Sequence, residues 1–349
     1  MRTSRRLTVE NATSEVIAPD SAPRETAAAR LKALDIQVEA HLQASLAAST
    51  RAKYQRAWEQ FTSWCAVHKL TALPATPRTL TRYVSDLAQT THLVKGKPLP
   101  LTSSWIQLQL AAITLAHEAS GVRPAPTQEL EVRLVMRGIR RKLGVAPRSE
   151  AAPLSVVQLR EMVWATPEDS LRDVRDRCVL LLGFAGALRR SEIASLDCSD
   201  VREVDGGLLL RIRRSKTDPE AAGQEIGIPK GSHQETDPVI ALQRWRRLAE
   251  IDSGPLFRVI DRRDHLLPER MSDRAVSRIL ARAARLAQLK IPDLSGHSLR
   301  AGFATAAAQA GASERAIANQ TRHRSLTTLR RYIRRGTLFE ENAAAMVGL

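Results

Sequence analysis

The sequence predicts a mainly α protein of two domains. An all-helical first domain is followed by a mixed, mostly helical second domain with a small antiparallel sheet. Three observations carry this reading. A length of 349 residues suits two domains better than one. Apolar residues recur at helical spacing through most of the chain, and two short β-type runs sit close together past its middle. The stretch Gly144-Val145-Ala146-Pro147-Arg148-Ser149 separates the end of a basic helix from a new helix start.

Residues 1–25 are rich in Ser, Thr, Pro and charge without periodicity, and read as a disordered leader. The first domain spans 26–146 and opens with a helix over 26–46. The segment Ser49 to Lys69 carries Tyr54, Trp58, Phe61 and Cys65 at helical spacing, a stripe that reads as core rather than a base-stacking platform. Thr76-Pro77 starts another helix, Thr as N-cap and Pro in the first position, with Leu80, Tyr83, Val84 and Leu87 on its buried face. Thr102 to Ala119 is a third, stopped by Gly121. Thr127 to Leu143 is a fourth and ends in Arg137, Arg140, Arg141 and Lys142.

A linker over 147–153 leads to the second domain, 154–349. Ser155 and Gln158 form a capping box, with Leu154 and Leu159 placed as a hydrophobic staple. Helices are expected at 155–165, 173–184 and 189–196. Strands come next at 208–212 and 225–228, joined by the turn-rich Ser215-Lys216-Thr217-Asp218-Pro219. Further helices are expected at 238–250 (Asp237 cap, Pro238 first), 272–287, 297–310, 313–320 and 325–335. There is no internal repeat and no glycine-rich phosphate loop.

Lys and Arg total 53 against 37 Asp and Glu, a formal net charge of +16 spread along the chain, so nucleic acid is the first partner to consider. Only nine of the basic residues are Lys. The Arg excess suits bidentate contacts to phosphate and guanine, and genome base composition accounts for it equally well. Cys65, Cys178 and Cys198 lie far apart with no C-x-x-C, which points to reduced core thiols and away from a disulfide framework or a zinc site. No apolar run reaches membrane-spanning length and no signal-peptide core is present, so a cytoplasmic protein associated with the nucleoid is expected.

Five features of the second domain carry chemistry. Arg189 and Glu192 stand at i and i+3 on one helix face. Lys216 sits between two strands. His297 and Arg300 again share a face, just after Gly296. His323 and Tyr332 come last, nine residues apart, the latter within Leu329-Arg330-Arg331-Tyr332-Ile333-Arg334. Each alone reads as solvated surface or a half-buried structural residue. Together, in a basic chain, they form the ordered series Arg, Lys, His-x-x-Arg, His, Tyr.

That series resembles the tyrosine site-specific recombinases, or integrases. Ser295-Gly296-His297-Ser298, Tyr332-Ile333-Arg334 and Ala345-Met346-Val347 are similar to the Cre-like branch. The Trp64-Cys65 segment and the helix Val135-Met136-Arg137-Gly138-Ile139-Arg140-Arg141-Lys142 also resemble that branch's core-binding domain, so the similarity covers about residues 41–349. The chain departs from the family at Thr321-Arg322-His323, where Leu-Gly-His is common. Cre-like members can carry Trp at that last position, and this chain has His.

The resemblance implies a core-binding, DNA-binding first domain and a catalytic second domain with a C-terminal docking helix. It implies metal- and ATP-independent strand transfer with no cofactor, through a 3′-phosphotyrosine at Tyr332. Phosphoryl transfer needs positive charge on the non-bridging oxygens, which Arg189 and Arg300 would clamp. His297 is placed for base work, and Glu192 would orient His297 or Arg189. In the family's pattern Lys216 would protonate the departing 5′-oxygen and His323 would bond a non-bridging oxygen. The implied partners are double-stranded DNA with an inverted-repeat site and a homotetramer on two such sites, in the setting of a mobile genetic element. Arg137, Arg140, Arg141, Lys142 and Arg282 are candidate DNA contacts.

A type IB topoisomerase shares this chemistry. A metal-dependent nuclease would need clustered carboxylates, and Asp261, Asp264, Glu269 and Asp273 form no ligand pattern. A DNA-binding regulator fits the helix–turn–helix look of 297–320 but leaves Lys216, His323 and Tyr332 unexplained.

Overall fold

The computed structural model describes residues 27–94, 96–146, 151–213, 223–323 and 326–336, together with Ala344 and Val347. The leader, Lys216 and most of the C-terminal tail lie outside the described residues. The chain divides into two compact units at Val145/Ala146. The architecture is mainly α, with small antiparallel sheets.

In the first unit the helices are α1 (Ala27–Ala44), α2 (Ala48–Val67), α3 (Pro77–Gln89), α4 (Ser103–Ala119) and α5 (Leu130–Leu143). Local signals place them. Thr76 accepts a bond from the Thr79 amide at the start of α3, with Pro77 next in the chain, and Thr102 caps α4 through the Trp105 amide. Phe61, Cys65, Leu80, Tyr83, Ile106, Ile113, Val132 and Met136 make the core, with Trp58 and Trp64 packed on its edge. The aromatic stripe is therefore packing surface, as expected.

The expectation that this unit is all-helical needs one correction. Strands β1 (Thr91–Val94) and β2 (Lys97–Pro100) pair antiparallel between α3 and α4, Leu93 opposite Pro98. Pro98 and Pro100 deny the segment a helix, and both are tolerated because a two-stranded ribbon has only edge strands.

In the second unit, α6 (Val156–Ala165) begins at the expected capping box, Ser155 and Gln158 bonding each other's backbone amides. Next come α7 (Leu171–Ala185) and the short α8 (Arg190–Ser195). A three-stranded sheet of order β3-β4-β5 is built from Val201–Val204, Gly207–Ile212 and Gln224–Pro229. Leu208, Leu210 and Ile212 alternate inward on β4, with Leu208 opposite Ile228 and Leu210 opposite Ile226. After α9 (Pro238–Leu248), a second small pair forms from β6 (Arg258–Ile260) and β7 (Leu266–Arg270). Of these strands only β4 and β5 were expected from the sequence; β3, β6 and β7 are additions.

Four helices complete this unit: α10 (Asp273–Leu286), α11 (Gly296–Gln309), α12 (Glu314–Thr321) and α13 (Leu326–Gly336). The core runs from α7 through Trp245 and Phe257 to α10 and Leu299. The indole of Trp245 donates to the Leu256 carbonyl at 2.8 Å, satisfying the polar atom of a fully buried ring. All three cysteines are buried and unpaired. Among the described residues no helix is long and apolar enough to cross a membrane.

Helix α11 bears His297 and Arg300, and small residues permit close approach to it on two sides. A Cβ at Gly302 would lie 2.1 Å from the Leu154 carbonyl oxygen, and one at Gly336 of α13 would lie 2.8 Å from the Thr305 carbonyl. Leu329, Tyr332 and Ile333 of α13 pack on Ala304 and Ala308 of α11 and Ile317 of α12. Burial of Leu329 at 0% exposure anchors the helix. Truncating such a leucine to alanine costs roughly 2–5 kcal/mol.

Candidate active site

Five of the residues singled out in the sequence converge in the second unit, at the start of α8, the buried side of α11 and the turn between α12 and α13. Arg189 is the N-cap of α8, and its backbone amide donates to Glu192 Oε2 at 2.9 Å. Its guanidinium donates to Oε1 of the same carboxylate at 2.6 Å. The i, i+3 spacing read from the sequence is thus a paired, buried contact. Arg300, buried on α11, donates through Nη1 to the Ala187 carbonyl at 2.9 Å, while its buried Nη2 has no hydrogen-bond partner among the described residues.

His323 lies just past α12 and directs Nδ1 to the Thr321 hydroxyl at 2.7 Å. Its ring centroid lies 6.2 Å from that of Tyr332, half-buried on α13. Tyr332 is also close enough to Arg300 for an ionised phenol to favour the guanidinium's charge.

His297 is exposed on the first turn of α11. Gly296 before it packs directly on the Arg190 side chain, so the start of α11 lies beside the start of α8. Lys216 lies outside the described residues. The stem leading to it is anchored: Arg213 donates to the Ser195 carbonyl at 3.2 Å and pairs with Asp197 at 2.5 Å and Asp200 at 2.8 Å.

One residue of this cluster was not foreseen as functional. Arg322 is 7% exposed and pairs with Glu192 at 2.8 Å. The sequence marked it only as a departure from the family pattern, and nothing in its local context signals a partner 130 positions away.

Three guanidiniums, Arg189, Arg300 and Arg322, therefore surround one carboxylate. The surplus positive charge has visible effects. Burial weakens the charged form of Glu192, yet the Arg322 and Arg189 guanidiniums and the Arg189 amide outweigh it and hold the carboxyl below its usual range. Burial, then the neighbouring Arg189 and Arg322, push Arg300 below the usual guanidinium range. Burial and the same three arginines push His323 down to about 4. A half-buried region that disfavours its own cations in this way is suited to an anion. Among the described residues no group of three or more His, Cys, Asp or Glu could hold a metal ion.

The candidate DNA contacts divide. Arg137, Arg140, Arg141 and Lys142 are exposed on the last two turns of α5. Arg282 has a structural task instead: its guanidinium bridges Asp173 at 2.5 Å and Asp176 at 3.4 Å, compensating two buried carboxylates.

Known proteins share this arrangement of elements. Residues 154–337, just over half the chain, match the phage integrase family. An integrase/recombinase xerD homolog of Selenomonas ruminantium is 34% identical over 312 residues, 89% of this chain and 88% of that protein. The recombinase cre of Escherichia phage P1 is 27% identical over 313 residues, 84% of each chain. Among solved structures, the Tn1549 transposon integrase in complex with transposon right-end DNA aligns with a TM-score of 0.61 at 14% identity, covering 89% of this chain and 96% of that one. A lambda integrase dimer bound to a COC′ core site aligns at 0.54 and 16% identity, covering 86% and 93%. At these identities the structures establish a shared fold.

Proposed function

Because this chain belongs to the phage integrase family of tyrosine recombinases, enzymes of site-specific DNA recombination, we propose that Tyr332 is the residue through which it cuts and rejoins DNA. The observation that carries the assignment is the position of the Tyr332 phenol, beside His323 and the arginine cluster around Glu192.

The chemistry is dictated by the charges. A phosphodiester placed between Arg189 and Arg300 meets buried guanidiniums, and Nη2 of Arg300 has no partner among the described residues. Those donors are preorganised, so they need no rearrangement as charge builds on the non-bridging oxygens. The Tyr332 oxygen attacks phosphorus and the bond to the 5′-oxygen breaks, leaving a 3′-phosphotyrosine and a free 5′-hydroxyl. The phenol's proton passes to a base, for which His297 at the start of α11 is the candidate. The departing oxygen takes a proton from Lys216. The new ester conserves the energy of the phosphodiester, so the reverse attack by a 5′-hydroxyl rejoins a strand without ATP.

The exposed basic end of α5 supports a role for the first unit in holding the DNA backbone. In this reading the target is an inverted repeat, four copies act on two sites, and the tail after Tyr332 docks on a neighbouring copy. A suicide DNA substrate tests the proposal. Wild-type protein should become covalently attached to the nicked strand in the presence of excess EDTA. No attachment under conditions of full DNA binding would overturn it.

A further inference from the structure

Two residues in this site hold left-handed backbone without being glycine: Ala187 with φ 46° and Arg322 with φ 54°. A Cβ makes that conformation unfavourable, and it persists only where the surroundings over-determine it. Here the two strained residues are joined. The Arg322 guanidinium donates to the Gly186 carbonyl at 3.2 Å and the Ala187 carbonyl at 3.3 Å, both in the turn that leads into Arg189. It also donates to its own chain at the Gln320 carbonyl, 2.8 Å away.

The same guanidinium holds Glu192. Oε1 of that carboxylate serves the Arg189 side chain, and Oε2 is shared by the Arg189 amide and Arg322. The Ala187 carbonyl is likewise shared between Arg322 and Nη1 of Arg300. One side chain thus touches Glu192 and the Ala187 carbonyl, the groups that orient the two phosphate-binding arginines. Both of its terminal nitrogens donate to protein, so it acts on the phosphate only through those neighbours.

We propose that Arg322 is a positioning residue for strand cleavage, clamping the Gly186-Ala187 turn and Glu192 so that Arg189 and Arg300 stay aligned for the phosphate. Without it, Glu192 loses the side-chain partner of Oε2 and draws on the remaining guanidiniums with both oxygens. That competes directly with phosphate for Arg189. This inference rests on the strand-transfer reading of the site and adds a residue to it.

The test is single-turnover formation of the covalent complex on a suicide substrate, with DNA affinity measured alongside. Arg322→Gly fits the left-handed backbone and removes the clamp. It should slow cleavage at saturating DNA at least tenfold while the half-saturating DNA concentration changes less than twofold. Glu192→Gln should slow cleavage too, and adding Arg322→Gly to it should cost less than threefold more, because the two act as one unit. Arg322→Lys keeps the charge but not the fork of donors, and should still lose at least threefold. That variant decides the matter if Arg322→Gly does not fold. Cleavage within twofold of wild type in a folded Arg322→Gly or Arg322→Lys protein would overturn the inference. So would equal losses of binding and cleavage, or fully multiplicative effects in the double variant. Failure of wild-type protein to form any covalent complex would instead overturn the reading of the site as a whole.

Discussion

The hydroxyl of Thr321 decides which nitrogen of His323 carries the proton. Thr321 Oγ1 donates its hydrogen to the Ile317 carbonyl at 2.6 Å, so at 2.7 Å from His323 Nδ1 it acts as acceptor. The neutral ring therefore has Nδ1–H and a bare Nε2. To donate to a phosphate oxygen through Nε2, His323 must gain a second proton, which burial and three arginines oppose until the anion arrives.

The first prediction concerns that proton. In DNA-free protein His323 should stay neutral, protonated on Nδ1, throughout pH 5.5–8, as read by ¹⁵N shifts of the ring. Bound to intact DNA, its pKa should rise from about 4 by at least one unit, since the phosphate offsets the Arg300, Arg189 and Arg322 charges. A ring that titrates near 6.5 in the free protein would contradict this electrostatic picture.

Glu192 sets a second expectation. Its carboxyl titrates below the usual range in the folded state, so an unfolded chain binds protons first as pH falls. The stabilisation is complete above the unfolded value and is lost as pH drops through the folded one. Glu192→Gln leaves buried guanidiniums uncompensated and should destabilise the protein by roughly 3–5 kcal/mol near neutrality. Thermal melting of the full chain should also show a shallower loss of stability between pH 5 and 3 than wild type. Unchanged melting would mean that Glu192 is not the counter-charge of the site.

Lys216 is testable through the leaving group. Lys216→Ala should slow cleavage of ordinary DNA about 10²–10⁴-fold, the usual range for a positioned acid. It should have little effect on a substrate with a 5′-bridging sulfur, which leaves without a proton. Equal losses on both substrates would make Lys216 a phosphate clamp instead.

The exposed arginines of α5 predict a salt effect. Arg140→Ala with Arg141→Ala should weaken binding to all sequences alike and reduce the slope of log K against log salt by about 1–2. An unchanged slope would place the DNA backbone elsewhere on the first unit.

Most of the helices were legible because their starts carry chemistry within four residues, as at Thr76-Pro77 and Ser155 to Gln158. The pairing of Arg189 with Glu192 was legible for the same reason, one helical turn fixing their distance. The ribbon of β1 and β2 was not, since four-residue strands carrying Pro98 and Pro100 show no alternation to read. At three residues, Arg258–Ile260 is too short to show one either. Arg322 was invisible as a site residue for a deeper reason. Its role depends on a left-handed backbone and on partners brought together only where the end of α12 meets the α7–α8 turn.

Strand transfer by this chain depends on Tyr332, and one gel tests it. Tyr332→Phe keeps the ring that packs on α11 and removes only the attacking oxygen. With a suicide substrate, the variant should bind DNA with wild-type affinity and give no protein–DNA adduct on a denaturing gel, where wild type gives a discrete slow band. An adduct formed by the Phe variant would contradict the assignment of Tyr332 as nucleophile.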